Sequence, residues 1–244
     1  LKKLYILLCS LLLISSQSRG QVLKDVTSSN QVWIAYYNQT RLSDKWSIWF
    51  DTHARRTDFL GRWATQIFRP GAVYHLSDKA RLMAGYAYAR FYSTEPGGDV
   101  QPEHRPWQQI NWEGKLGRFE TNHWIRIEER FRRNLVNEQL APGYGFNFRF
   151  RIMVSAQLPL WGKEAKPGVP SVLVQNEIWF NAGGEIVYNY FDQNRLFLGI
   201  VYPFSEQLRL QAGYMNVFQQ QEEGNEFQNK HVLRLFLYHD LDFR

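Results

Sequence analysis

The sequence predicts an all-β chain, an antiparallel up-and-down transmembrane β-barrel of about 12 strands (10–12). Three observations lead there. Residues 146–155 read Phe-Asn-Phe-Arg-Phe-Arg-Ile-Met-Val-Ser, with a large apolar side chain at every even position and Arg149 and Arg151 between them. A helix, with 3.6 residues per turn, would scatter these around its axis, whereas a strand, with a repeat of two, sorts them onto opposite faces. Such segments recur along the chain, most about ten residues long, the length a tilted strand needs to cross a bilayer. Their connections alternate between short and long, except for an intermediate second and a long seventh, as expected of barrels with short periplasmic turns.

In chain order, residues 31–41 carry Trp33, Ala35 and Tyr37 on one face. Leu42-Ser43-Asp44-Lys45 turns the chain, and residues 46–56 set Ile48 and Phe50 against Ser47, Asp51, His53 and Arg55. In residues 63–74, Pro70-Gly71 interrupts the ladder and predicts a bulge or bend. Leu76-Ser77-Asp78-Lys79 then nearly repeats the first turn. Residues 81–92, rich in Gly, Ala and Tyr, leave the inward face open. A linker over 93–106 precedes the fifth segment, 107–116, which ends at the hairpin signal Gly117-Arg118. The sixth, 119–133, pairs Ile125, Ile127 and Phe131 against Arg126, Glu128, Arg130 and Arg132. Residues 134–143 lead to the seventh, 146–155, and 161–170 form a Gly/Pro/Lys linker. The last four segments are 171–181, 194–203, 208–219 and 230–243, separated by 182–193, a tight Ser205-Glu206-Gln207 turn and the polar 220–229. Eleven segments make an odd number, whereas bacterial barrels have even ones, so Val22-Leu23-Lys24-Asp25 onward to Ser29 is expected to add a weak twelfth.

The N-terminus has a basic start, an apolar run over 4–14 and small residues to Gly20. This reads as a signal peptide over residues 1–20, followed by a segment over 21–30 and one barrel domain over 31–244. The apolar run is too short for a spanning helix. Cys9 sits inside that run, so the mature chain has no cysteine and no thiolate or disulfide chemistry. Lys2, Lys3 and Arg19 account for half of the formal charge of +6, leaving about +3, too little to argue for nucleic acid. Aromatics reach 16%, with nine Trp and thirteen Tyr, as expected of interfacial girdles. Trp33, Trp46, Trp63 and Trp107 fall near segment ends and are read as girdle residues.

The blocks Asn176-Glu177-Ile178-Trp179-Phe180-Asn181, Phe191-Asp192-Gln193-Asn194-Arg195-Leu196, Gly213-Tyr214-Met215-Asn216 and His231-Val232-Leu233 resemble a known family. It is the one catalogued as domain of unknown function 2490, found among exported proteins of Bacteroidota and other Gram-negative bacteria. The resemblance implies an outer-membrane barrel and location and brings no activity. Through Leu241 and Phe243 the C-terminus is similar to the aromatic-ended signal read by the barrel-insertion machinery, departing from it by ending on Arg244. Outer-membrane lipids and that machinery are the expected partners.

The strongest chemical constellation is the set of charges opposite the apolar faces. It comprises Asp51, Arg55, Glu113, Arg126, Glu128, Arg130, Arg149, Arg151, Glu177, Arg195 and Arg234. In a barrel these converge on the lumen. They are read as a paired network filling a narrow barrel, or as the lining of a pore or pocket whose arginine excess favours a small anionic solute. An enzyme using Glu128 or Glu177 is the remaining reading. A lipid hydrolase or lipid-A-modifying enzyme is the alternative function, and a secreted soluble β-sandwich that binds a ligand is the next. His123 and His53 have no recognisable triad partners. The histidines are too dispersed for a metal, and no phosphate-cradling loop is present, so no cofactor is expected.

Overall fold

The computed structural model describes residues 24–244. The leader expected over 1–20 lies outside the described residues. Alternating sequence becomes strand throughout: β1 (Asp25–Arg41), β2 (Trp46–Thr57), β3 (Arg62–Ser77), β4 (Ala80–Tyr92), β5 (Val100–Leu116), β6 (Phe119–Val136), β7 (Gln139–Pro159), β8 (Ser171–Ala182), β9 (Phe191–Pro203), β10 (Leu208–Gln220) and β11 (Glu226–Asp242). Each strand pairs antiparallel with the next, and one sheet closes on itself as a barrel. The two-layer sandwich alternative is thereby excluded.

Closure uses eleven strands, not twelve. β1 and β11 pair in parallel, in unbroken register from Asp25↔Glu226 to Arg41↔Asp242. Residues 25–29, expected to form a separate strand, extend β1 instead. Thr27-Ser28-Ser29-Asn30 holds no glycine or proline at which the chain could reverse. An odd count puts the start of β1 and the end of β11 at opposite rims. The rim with connections 42–45, 78–79, 117–118, 160–170 and 204–207 is termed lower; the rim with 58–61, 93–99, 137–138, 183–190 and 221–225 is upper.

The expected sorting of short and long connections is not kept. The long 160–170 connection lies among the lower turns, the exception expected from the sequence, but the expected 134–143 connection is a two-residue hairpin at Asn137-Glu138, both with positive φ. Strands outrun their apolar stretches because the ladder joins backbone groups, which polar residues supply equally. In the same way β5 begins at Val100, seven residues before its expected start, and Pro102 and Pro106 stay in register against Arg90 and Tyr86. Pro70-Gly71 makes no bulge either: Phe68↔Tyr88 and Gly71↔Gly85 belong to one register. The serine turns behave as read, with Ser43 and Ser205 Oγ each accepting the backbone N–H three residues on, at 3.1 Å.

The two faces of the barrel are opposite in character. Phe148, Phe150, Ile152 and Val154 project outward and are exposed, while Arg149 and Arg151 keep only 3% and 6% of their surface. The same holds around the wall, with Ile34, Ile48, Phe68, Leu82, Ile125, Leu198 and Leu233 outside. Trp46 and Trp63 are exposed as expected, but Trp33 and Trp107 point inward at 3% and 1% exposure. Period-two parity decides this, since both share a face with buried neighbours (Ala35; Gln109) and not with the outer belt.

Candidate functional site

The lumen is filled by arginines from neighbouring strands. Charges at alternate positions of β6, β7 and β8 meet there because antiparallel register sets Glu128 opposite Arg149 and Arg126 opposite Arg151. Glu128 accepts from both Arg149 Nε and Arg149 Nη2, the former at 2.9 Å, and from Arg151 Nη1 at 2.6 Å. Arg151 Nε reaches Glu177 at 2.7 Å, and Trp179 Nε1 donates to the same carboxylate at 2.5 Å. Arg130 is bidentate on Glu103, at 3.0 and 2.9 Å, while Arg105 and Arg132 bond it too. Asp51 accepts from Trp49 at 2.6 Å and His53 at 2.9 Å, with Arg69 Nε at 3.6 Å.

Ten of the eleven residues expected in the lumen therefore come together. The eleventh, Glu113, also faces the lumen but at its lower mouth, where it is exposed and lies 3.1 Å from Arg81. Two steps of alternation carry β5 from the buried Gln109 to that rim, so parity set the face and depth separates Glu113 from the belt. Glu103, Arg105, Arg69 and Asp192, all buried, were not among the expected residues. The alternation at Glu103 and Arg105 was hidden by the prolines on either side, and Arg69 by the adjoining Pro70-Gly71.

Positive charge exceeds negative inside. Five buried carboxylates face eight buried arginines among the described residues, with Arg55 half-buried beside them. Among the described residues, Arg55, Arg195 and Arg234 have no carboxylate within the 4.0 Å of an ion pair. Aromatic faces and amides hold them instead. Arg55 lies 3.8 Å from the Trp33 ring centre, and Arg195 lies 3.7 Å from that of Trp179. Arg195 Nε also donates to Gln193, and Arg234 to Gln175 and Gln211 while stacked on Phe197 and Phe236. Such contacts orient a guanidinium but leave its charge uncompensated.

The charged belt divides the lumen. A lower chamber of about 720 Å³ and an upper one of about 610 Å³ share Trp33, Arg55, Arg69, Arg151 and Arg195 as a common septum. For hydrolase chemistry, Ser47 and His75 are 2.8 Å apart, but the group against that ring is the Arg41 guanidinium at 3.0 Å. A relay needs a carboxylate in that place. Asp51 and His53 make a dyad whose partners include no nucleophile. Among the described residues no group of His, Cys, Asp and Glu could hold a metal.

Among curated proteins and among solved structures nothing matches this chain. The family model described as "Protein of unknown function (DUF2490)" matches residues 30–228, which takes in β2 to β10, most of β1, the first residues of β11 and every residue of the septum. The chain thus belongs to the DUF2490 family.

Proposed function

We propose that this protein is an outer-membrane β-barrel that receives small anions in its lumen, as a binding barrel whose septum keeps it from being a wide pore. The observation that carries the reading is the pairing of an apolar outer wall with buried, uncompensated arginines inside. A wall of exposed Phe, Ile and Leu is costly in water and stable against acyl chains. Exposed aromatics near both rims support the same placement: Trp46, Trp112 and Tyr202 low, Trp63, Tyr144 and Tyr190 high. Inside, every positive charge without a carboxylate favours an anion at its side.

Two measurements test this. The protein is expected in the outer-membrane fraction, released only by detergent; recovery as a soluble protein would overturn the membrane reading. In planar bilayers a small or intermittent conductance with anion preference is expected, weakened by Arg195→Gln. A large steady conductance with cation preference would contradict both the septum and the charge argument.

A further inference from the structure

The two chambers differ in how their donors are used. Around the upper chamber Arg130, Arg132 and Arg149 are committed to Glu103, Glu128 and Asp192. Around the lower chamber Arg151 is committed in the same way, to Glu128 and Glu177, but other groups are not. His53 Nδ1, Arg69 Nε, Arg126 Nη1 and Arg234 Nε are buried donors or acceptors without a protein hydrogen-bond partner. Arg69 Nε and Arg126 Nη1 have a carboxylate only beyond hydrogen-bond reach, Asp51 at 3.6 Å and Glu128 at 3.8 Å, and Arg234 has none. All four belong to residues that line the lower chamber and are themselves more than nine-tenths buried. Burying such groups without a hydrogen bond is costly, and more so where they are charged. So many at one place point to a ligand.

The chamber also carries large apolar side chains. Trp33, Trp49, Trp124, Met153 and Phe236 line it, Trp33 and Phe236 from one apolar cluster and Trp49 packed against another, with a guanidinium already over one face of the Trp33, Trp124 and Phe236 rings. Its volume of about 720 Å³ lies within the range of small-molecule pockets, and aromatic walls with a few convergent polar groups are the usual lining of one. Inorganic ions would leave those walls idle. An uncharged hydrocarbon would leave the guanidinium groups unpaired.

Resting on the anion reading above and extending it, we propose that the lower chamber binds an amphipathic organic anion. Its carboxylate or similar acid group would meet Arg234, whose charge has no carboxylate partner, with Arg126 beside it, and its apolar body would lie against the aromatic and Met153 surface that the arginines leave uncovered. The open lower rim is its way in, and the septum stops it from passing upward.

The test uses the full barrel purified in detergent, with protein-free micelles as the blank and equilibrium dialysis as the readout. Three probes are compared: 2-naphthoate, the uncharged 2-naphthalenemethanol and inorganic phosphate. One 2-naphthoate per chain is expected, bound at least tenfold more tightly than either of the others. Arg234→Gln should weaken it about tenfold, and Trp124→Leu should weaken it as well without lowering phosphate binding. The control Arg133→Gln, on the outer wall, should change it less than twofold. Phosphate binding as tightly as 2-naphthoate would overturn the pocket while leaving an anion-binding lumen. Failure of both anions to bind would overturn the lumen reading too. The comparison of probes on the unaltered protein decides the matter even if Arg234→Gln does not fold.

Discussion

At the scale of single residues, the lumen holds two kinds of buried charge with opposite expected responses to substitution. Glu128 neutralises Arg149 and Arg151 at once. Glu128→Gln leaves two guanidinium groups short of their counter-charge and should cost about 3–5 kcal/mol. Arg195 has no carboxylate to lose, so Arg195→Gln removes a desolvated charge without stranding a partner. It should leave stability unchanged or raise it by about 1–2 kcal/mol. Urea unfolding of both variants, refolded in the same detergent, checks the pair. Equal destabilisation would mean that Arg195 is compensated in some other way.

Individual elements depend on small residues as much as on large ones. Gly71 and Gly85 face each other across β3 and β4, and the Trp107 ring lies over them. A Cβ at Gly85 would come within 2.9 Å of that ring and meet the backbone of Pro70 and Gly71 more closely still. Gly85→Val should therefore displace Trp107 or part the strands, at about 1–3 kcal/mol from overpacking. Near-ultraviolet circular dichroism should register the changed indole environment, and an unchanged spectrum with unchanged stability would refute the packing argument. At the lower rim, the 160–170 connection is clipped down by Lys115, which donates to Glu164 at 2.7 Å, and its Ala165, Lys166 and Pro167 border the lower chamber. That bond holds the Glu164 carboxyl below its ordinary range. The clip is thus intact at neutral pH and above, and it is lost as pH falls through the depressed value. An exposed pair is worth little. Glu164→Gln should accordingly speed tryptic cleavage after Lys163 by about two- to fivefold at neutral pH, and no change in rate would show that the clip does not restrain the loop.

For the whole molecule the decisive property is the inversion of inside and outside. If acyl chains cover the wall, Phe150→Arg places a charge against lipid and should cost about 2–4 kcal/mol near the bilayer midplane. Folding into phospholipid vesicles, followed against urea, measures this. Were the wall bathed in water, the same change would be neutral. The parallel seam of β1 and β11 is the other whole-molecule feature. It makes closure depend on the two most distant parts of the chain, so the barrel is expected to close late, after the local antiparallel hairpins have formed. Deleting the pairing residues 25–30 should slow folding more than it lowers final stability, readable from the kinetics of electrophoretic mobility change on insertion into vesicles.

The sequence by itself determined which side chains share a face. Period two is local, and it was enough to assign Arg126, Glu128, Arg149 and Arg151 to one side and Phe148 and Phe150 to the other. It also identified the family, the barrel class and the serine turns. Where alternation was broken by proline or continued by polar residues, at 100–106, 134–136 and 139–143, it had no apolar contrast to read and strand was taken for loop, while 25–29 was read as a strand of its own when it extends β1. The tertiary structure alone decided the strand count, the parallel closure and which charges remain unpaired. Those depend on register and on what faces what across the lumen: Glu103 compensates Arg130 only because of how β5 registers on β6, and Arg234 lacks a carboxylate only because its neighbours across the sheet and lumen are glutamines and aromatic rings. A pattern of alternation carries no information about such distances.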